Sequence, residues 1–104
     1  MRSESLKGHL DALLLAVLSR GPLHGYAVIE ELGRRSDGAL ALPEGTVYPA
    51  LHRLEAAGLL SSAWSTAEGR RRRVYDLTRR GHRELGTRRG EWRAFVGAVE
   101  AVMA

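Results

Sequence analysis

The hydrophobic period of this chain changes just after Gly58, from helical spacing to the alternation of strands. Before that point apolar residues recur at the spacing that places them on one buried face of a helix. After it come two short segments, 59–65 and 72–77, whose alternating, β-branched and aromatic residues are typical of strands. Helical spacing returns from residue 78 onward. The chain is therefore predicted to be mainly α with a small β-hairpin, in the order of three helices, the hairpin and a last helix.

Glycine and proline separate the first two helices. The first helix is predicted over Leu6–Leu18 and stops before Gly21-Pro22, a dipeptide that favours a turn. The second is predicted over His24–Arg35 and is ended by the polar segment Ser36–Gly38. Each carries an apolar face that can contribute to a small core.

The third helix lies within Pro43–Ala57, and its start depends on Pro49. A proline deep inside a helix costs about 3 kcal/mol. If Thr46 is the N-cap, Pro49 falls in the first turn and is tolerated. If Pro43 is instead the first helical residue, the helix is expected to bend near Pro49. In either case Gly58 suits the left-handed position that follows a helix.

The hairpin and the last helix carry the remaining structural signals. A polar turn, residues 66–71, separates the predicted strands and ends in arginines, so the hairpin has a basic tip. Thr78 is a suitable N-cap for a helix that runs to about Val102. Its apolar residues approximate a heptad stripe formed by Leu85, Trp92, Phe95 or Val96, Val99, and Val102 or Met103. Glycines within it weaken the helix by roughly 1 kcal/mol each relative to alanine, so this helix is expected to need a partner.

Positive charge is concentrated in one part of the chain. Between Arg70 and Arg93 ten arginines stand against three acidic residues, whereas the rest of the chain has six basic and nine acidic residues. A concentrated basic stretch indicates a polyanionic partner. The alternative is an arginine-rich surface that only contacts solvent.

Several classes of protein are disfavoured by what the sequence lacks. It has no cysteine, which excludes disulfides and thiolate zinc sites and fits a reducing cytoplasm. No apolar run approaches the ~20 residues that span a bilayer, and the first four residues lack the apolar core of a signal peptide. A soluble cytoplasmic protein is therefore expected.

Nothing in the sequence assembles a catalytic or metal site. No nucleophile elbow, phosphate-binding glycine loop or clustered pair of acids is present. The four histidines, at positions 9, 24, 52 and 82, do not have the spacing of metal ligands. We expect neither an enzyme nor a cofactor-dependent protein.

Three helices followed by a hairpin form the order of a winged helix-turn-helix. In this arrangement the second helix of the pair enters the major groove of DNA. Here that helix presents the hydroxyls of Thr46 and Tyr48, which can bind phosphate, and the longer side chains of His52 and Arg53, which can reach phosphate or base edges. The wing tip carries Arg70, Arg71, Arg72 and Arg73, and strand alternation sends some of these arginines to each face, so about two of the four are expected to touch DNA.

Three sequence blocks resemble the PadR family of transcriptional regulators. Pro22–Tyr26 is similar to the family's P-x-H-G-Y element, and Gly45–Leu60 is similar to its recognition-helix signature. Gly69–Thr78, with Gly81, resembles its wing and the entry to its last helix. The resemblance covers roughly residues 5–95, and the three blocks together are specific where H-G-Y alone is not.

The resemblance implies a dimeric repressor that binds inverted repeats in DNA. Members of the short subfamily have one C-terminal helix that packs across the two-fold axis, and this chain has that length. Tyr26, Thr46 and Tyr48 would contact the DNA backbone. Some members release DNA when phenolic acids or planar apolar drugs bind, and in certain short members a tryptophan of the last helix lines a pore at the dimer interface. Trp92, with Val96, is in the comparable place, although the last helix is richer here in glycine and alanine.

The predicted organisation is therefore a DNA-binding winged helix-turn-helix, residues 1–77, followed by a C-terminal dimerisation helix, residues 78–104. The residues expected at the dimer interface are Leu10, Leu14, Leu85, Trp92, Val96 and Val99.

Two other functions remain open at this stage. A basic RNA- or ribosome-associated protein would use the same arginines without needing a recognition helix. A winged-helix protein-interaction module would have no salt-dependent affinity for DNA. Some residues also have a purely structural explanation: Tyr26 as a core aromatic, His24 as a cap of the second helix, and Trp64 as a residue packed on the hairpin face or near the dimer interface.

Overall fold

A computed structural model describes residues 8–104 of the chain. Leu6 and the beginning of the predicted first helix lie outside the described residues. The elements are α1 (Leu10–Leu18), β1 (Leu23–His24), α2 (Gly25–Arg35), α3 (Glu44–Ala56), β2 (Leu60–Ala67), β3 (Arg70–Leu77) and α4 (Arg79–Met103). The predicted mainly α fold with a winged-helix order of elements is confirmed.

Gly8 and His9, the first two described residues, are not helical, in contrast to the prediction from apolar spacing. Gly8 has a φ of +93° and, with His9, forms a turn, so the helix begins at Leu10. At its other end the Ser19 hydroxyl donates to the carbonyl of Ala16 over 2.7 Å. The predicted stop before Gly21 is confirmed.

The sheet has three antiparallel strands in the order β1-β3-β2. Strand β1 was not predicted, because two residues are too few to show a period. The hairpin turn is also tighter than expected: Glu68 and Gly69 alone connect the strands, with φ values of +53° and +73°. Two successive left-handed residues are the requirement of a type I′ turn, whose twist matches that of the strands it joins. The outer residues of the predicted turn 66–71 therefore belong to β2 and β3.

The core lies between the first three helices and one face of the sheet. Its buried members are Leu14, Leu15, Val17, Leu18, Val28, Leu32, Val47, Ala50, Leu51, Leu54, Leu60, Tyr75, Leu77 and Leu85. Leu14 is fully buried and Leu85 is 2% exposed, so both are core residues of the protomer. Their burial needs no second copy, in contrast to the expectation that they form the dimer interface. Leu10 is only partly buried and packs against this core.

The junction between the sheet and α4 is closely packed. The Thr78 hydroxyl accepts from the backbone N–H of Gly81 over 3.0 Å, which confirms it as the N-cap of α4. The same hydroxyl donates to the carbonyl of Gly58 over 2.7 Å, and Gly58 has the left-handed φ predicted for it, +79°. A Cβ placed on Gly81 would lie 2.1 Å from the carbonyl oxygen of Leu59. The first turn of α4 can therefore approach β2 only with glycine at position 81.

Beyond Leu85, α4 leaves the packed body and accounts for much of the 53 Å length of the molecule. Four large apolar side chains on this part are exposed: Trp92, Phe95, Val102 and Met103. Within residues 8–104 no helix is long and apolar enough to cross a membrane.

Replacing Gly81 by alanine is expected to lower the free energy of unfolding by about 1–3 kcal/mol, because the new methyl group must displace the Leu59 carbonyl or the start of α4. Gly90→Ala is the matched control, since nothing lies within 4 Å of its Cβ position and alanine favours a helix by up to about 1 kcal/mol. Urea unfolding at one protein concentration measures both. A Gly81→Ala protein as stable as the Gly90→Ala protein would contradict this packing.

Candidate nucleic-acid interface

The exposed side of α3 is made mostly of small residues. Val47, Ala50, Leu51 and Leu54 are buried, which fixes the face of the helix that points inward. At 100° per residue the opposite face carries Gly45, Pro49, His52 and Ala56, and all four are exposed. His52 is thus the polar side chain at the centre of a low ridge. A helix with so little side-chain bulk can bring its backbone close to the floor of a groove.

The start of α3 differs from both alternatives considered from the sequence. Pro43 is the N-cap and Glu44 the first helical residue, so Thr46 lies within the first turn and is not the cap. Pro49 is consequently inside the helix. Because proline has no N–H, the carbonyl of Gly45 lacks its usual helical partner. Both residues are exposed, and solvent reaches this gap in the helical hydrogen bonding.

Arg53 is engaged by α1. Its guanidinium donates to the carboxylate of Asp11 in the first turn of that helix. The Arg53 side chain remains 59% exposed, and an exposed ion pair of this kind contributes no more than about 1 kcal/mol. The pair directs Arg53 toward the α1 side of α3, yet it can be exchanged for a phosphate at small cost.

Tyr48 lies across the beginning of α2. A Cβ on Gly25 would be 2.3 Å from the Cε1 atom of the Tyr48 ring, so the ring occupies the space that any side chain at position 25 would need. Burial, with a smaller contribution from Glu44, raises the pKa of the Tyr48 hydroxyl. A tyrosine hydroxyl is protonated at neutral pH, so Tyr48 can donate a hydrogen bond. Tyr26, one residue after Gly25, is 54% exposed and is not a core aromatic.

The last turn of α3 is joined to the wing by Glu55, Ser62 and Arg73. The Ser62 hydroxyl donates to the Glu55 carboxylate and accepts from Arg73 Nε over 2.8 Å. Arg73 Nη2 is itself 3.7 Å from the same carboxylate. Burial, followed by the charge of Glu55, raises the pKa of neighbouring Tyr75. Arg73 is therefore a link between α3 and the wing, which explains why it is less available to a ligand than the arginines nearer the tip.

The register of the hairpin divides its arginines between two faces. Trp64 is opposite Arg73 and Thr66 is opposite Arg71, so these side chains share one face, while Arg70 and Arg72 lie on the other. This confirms the predicted alternation. On the first face the guanidinium carbons of Arg71 and Arg73 lie 4.7 and 5.4 Å from the centroid of the Trp64 ring. Such cation–π contacts keep the two arginines extended over the ring. Trp64 thus packs on the hairpin face, as expected.

His24 connects the start of α2 with the second face of the wing. Its Nδ1 accepts from the backbone N–H of Ala27 over 3.2 Å, which confirms His24 as a cap. Its Nε2 lies 2.7 Å from Nη1 of Arg72. The contact arises because β1 pairs His24 with Val74, two residues from Arg72 on the same face of β3. Sequence reasoning missed it because β1 was missed.

The structure brings some of the predicted DNA-contacting residues together and separates others. Tyr26, Tyr48 and Arg72 gather around the beginning of α2. Arg70 and Arg71 lie at the wing tip, and His52 is on the exposed ridge of α3. Thr46, which is half-buried, and Arg53, which is exposed, flank that ridge. These roles remain predictions.

The predicted effector residues lie on the exposed part of α4. The Trp92 ring contacts His9 edge-on, with centroids 5.4 Å apart, and is tilted against Phe95 at 6.1 Å. Val96 and Val99 are partly buried on the same side. Trp92 is nevertheless 52% exposed, so a pocket at this position would need a second wall. A cleft of about 460 Å³ lies elsewhere, between the end of α1 and α2, and neither Trp92 nor Val96 lines it.

The chain is similar to known transcriptional regulators in sequence. Residues 14–87 match the model of the transcriptional regulator PadR-like family. A transcriptional regulator of Mycobacterium tuberculosis is 44% identical over 63 residues, which is 61% of this chain and 56% of that protein.

Solved structures give the same picture. A PadR family transcription regulator from Clostridium difficile R20291 is 31% identical and has a TM-score of 0.84, and the match covers 93% of this chain and 100% of that chain. A PadR family transcriptional regulator from Eggerthella lenta is 32% identical with a TM-score of 0.81, over 96% of this chain and 86% of that chain.

The contact between Gly25 and Tyr48 can be tested by a double-mutant cycle. Gly25→Ala is expected to lower the free energy of unfolding by about 1–3 kcal/mol, because its methyl group collides with the Tyr48 ring. In a Tyr48→Ala background the same substitution should cost much less, since the collision is gone. Urea unfolding of the four proteins gives the coupling energy. Equal costs in the two backgrounds would mean that the ring does not lie over position 25.

Proposed function

This chain belongs to the PadR-like family of transcriptional regulators, and from that premise we propose that it is a repressor that binds an inverted repeat in double-stranded DNA as a homodimer. The observation that carries the proposal is that the wing and α3 meet at the beginning of α2, where Arg72 lies against His24 and the Tyr48 ring lies over Gly25. This surface presents hydrogen-bond donors and positive charge, which match the phosphate backbone of DNA.

In the proposed complex α3 lies in the major groove and the wing lies over the adjacent backbone. The low ridge of α3 lets that helix sit deep, and His52 is then the side chain best placed to reach a base edge. Tyr26 and Tyr48 donate to phosphates near the beginning of α2. Arg70 and Arg71 contact the backbone from the wing tip, and Arg53 exchanges Asp11 for a phosphate.

The exposed apolar side of α4 supports the dimer. Trp92 and Phe95 are 52% and 60% exposed, and Val102 and Met103 more so, on one side of a helix that already carries several glycines. A second copy of α4 packed on this side would bury these residues and stabilise the helix. We assign residues 1–77 to DNA binding and residues 78–104 to dimerisation, with Leu10, Trp92, Val96 and Val99 at the interface.

The dimer also supplies what an effector site lacks in one protomer. Trp92 and Val96 would face their counterparts across the two-fold axis, and a planar aromatic molecule fits between facing tryptophan rings. An effector that binds one arrangement of the two protomers more tightly than another shifts DNA affinity, and DNA shifts effector affinity by the same factor.

DNA binding is tested by fluorescence anisotropy with a fragment from the chain's own promoter region, against random DNA, at several salt concentrations. The fragment is expected to bind more tightly, and affinity should fall as salt rises. Arg71→Ala should reduce the slope of log affinity against log salt by about one, because one phosphate contact is lost. Arg34→Ala is the control, since Arg34 lies at the far end of α2 and pairs with Glu31.

His52→Ala is expected to reduce the preference for the fragment over random DNA while leaving the salt slope unchanged. Equal affinity for both DNAs in the wild-type protein would favour a non-specific nucleic-acid-binding role. Absence of binding at low salt would contradict the proposed function.

Dimerisation is tested by sedimentation equilibrium. The wild-type protein is expected to be a dimer, and Val99→Glu should shift it toward the monomer because it places a charge in the apolar interface. Ala101→Glu introduces the same charge on the opposite side of α4 and should leave the dimer intact. A dimer unaffected by Val99→Glu would place the interface elsewhere.

A further inference from the structure

Two hydrogen-bond donors lie against the His24 ring, which can accept from only one of them. Its Nδ1 accepts from the backbone N–H of Ala27, and its Nε2 lies 2.7 Å from a guanidinium nitrogen of Arg72. A neutral imidazole has one nitrogen that accepts and one that donates, and a guanidinium only donates. One of the two contacts therefore brings two donors together.

The contact that lacks an acceptor is the one between His24 and Arg72. The N–H of Ala27 is fixed in the first turn of α2, and the His24 cap satisfies it. With Nδ1 as the acceptor, Nε2 carries the proton and points at Arg72. The alternative tautomer would leave the Ala27 N–H facing another N–H, and a charged imidazole would accept from neither donor. Arg72 is held by a flexible stem and can adjust, whereas the helix backbone cannot.

The neighbouring residues do not supply the missing acceptor. Within residues 8–104 no carboxylate lies within 4 Å of the Arg72 guanidinium. On the same face of β3, Arg70 adds another positive charge toward the wing tip. Asp76 lies on that face beyond Val74, and its Oδ1 accepts from the backbone N–H of Leu77. His24 and Arg72 are both partly exposed, so an acceptor can reach them from outside the protein.

We propose that the Nε2–H of His24 and the guanidinium of Arg72 together bind one backbone phosphate of DNA. A phosphodiester has two non-bridging oxygens, and it accepts from both groups at once while balancing the arginine charge. The surface favours this anion over a protein carboxylate, because exposed Tyr26 and Arg70, two residues from His24 and Arg72 respectively, can donate hydrogen bonds to the same DNA strand. This inference rests on the proposed DNA-binding function and adds His24 to it.

The phosphate would also fix the wing relative to the rest of the domain. His24 is held by the α2 cap and by pairing of β1 with β3, so it is a rigid partner for Arg72. One phosphate held by both residues therefore ties the outer face of the wing to the start of α2. Arg72 and His24 both bind the phosphate directly, and it is through the shared phosphate that His24 positions Arg72.

Substitutions at position 24 separate the cap from the phosphate contact. Asparagine is among the best N-cap residues, so His24→Asn keeps the cap but removes the Nε2–H donor. We expect it to leave the unfolding temperature nearly unchanged and to weaken binding to the promoter fragment by roughly tenfold, as for loss of a hydrogen bond to a charged group. His24→Asp keeps the cap but pairs with Arg72 and repels phosphate, and should weaken binding further.

If one phosphate is shared by the two residues, a second and independent prediction follows for Arg72. Arg72→Gln should weaken binding and reduce the salt slope by about one. If both residues hold the same phosphate, the double variant loses less affinity than the product of the two single losses. Arg34→Gln is the control for loss of an arginine charge. Affinity of His24→Asn equal to that of the wild type, at every salt concentration, would overturn the inference while the proposed function stands.

A wild-type protein that fails to bind DNA would defeat the proposed function, and the phosphate site would then be decided by nuclear magnetic resonance with inorganic phosphate. Long-range ¹H–¹⁵N spectra of the full chain are expected to show His24 as the Nε2–H tautomer. Added phosphate should shift the His24 Nε2 resonance in the wild type and not in Arg72→Gln. The Nδ1–H tautomer, or a His24 signal that phosphate does not move, would overturn the inference.

Discussion

Burial of Tyr75 in the core fixes the register of β3 between β1 and β2, and every wing contact depends on that register. Tyr75 is 1% exposed and pairs with Leu23 on one side and Ser62 on the other. Because side chains alternate along a strand, a shift of one residue would exchange the two faces of the wing. Arg71 and Arg73 would then lose Trp64, and Arg72 would lose His24. The aromatic residue at the base of the strand thus determines where the charges near its tip are presented.

A small number of contacts likewise fixes the orientation of α3. Each neighbouring element contributes one distinct link: α1 through Asp11 to Arg53, α2 through Gly25 to Tyr48, and the wing through Ser62 to Glu55. The buried side of α3 supplies most of the stability, since exposed polar contacts contribute little. What the links add is a defined rotation of the helix, which leaves its small-residue ridge and His52 toward solvent. A helix held in this way needs little reordering when it meets DNA, so less binding free energy is lost.

The sequence was most informative where a local pattern is compatible with only one local structure. The change of period separated helices from strands, Thr78 and Gly58 marked ends of helices, and alternation along β3 separated its arginines. It was least informative where tertiary contacts decide. Strand β1 is too short to show a pattern, and it exists because β3 offers it a partner. The start of α3 at Glu44 places Pro49 inside the helix, against the local preference that keeps proline in the first turn.

The candidate site was likewise predictable only in part. Residues with long or hydroxyl side chains could be selected from the recognition helix and the wing, but their partners could not. No local pattern identifies Asp11 as the partner of Arg53, and for His24 the sequence indicates only a helix cap. Leu14 and Leu85 have the apolar character of interface residues, and apolar character alone does not distinguish a protomer's core from its contact with a second copy. The close approach at Gly81 fixes the beginning of the last helix, and the contact of Trp92 with His9 is the last aromatic contact with the domain, so the C-terminal part of the helix acts mechanically as a lever. A small rotation at the root becomes a displacement of several ångströms at the tip, and in the proposed dimer the crossing of two such levers sets the distance between the two DNA-reading helices.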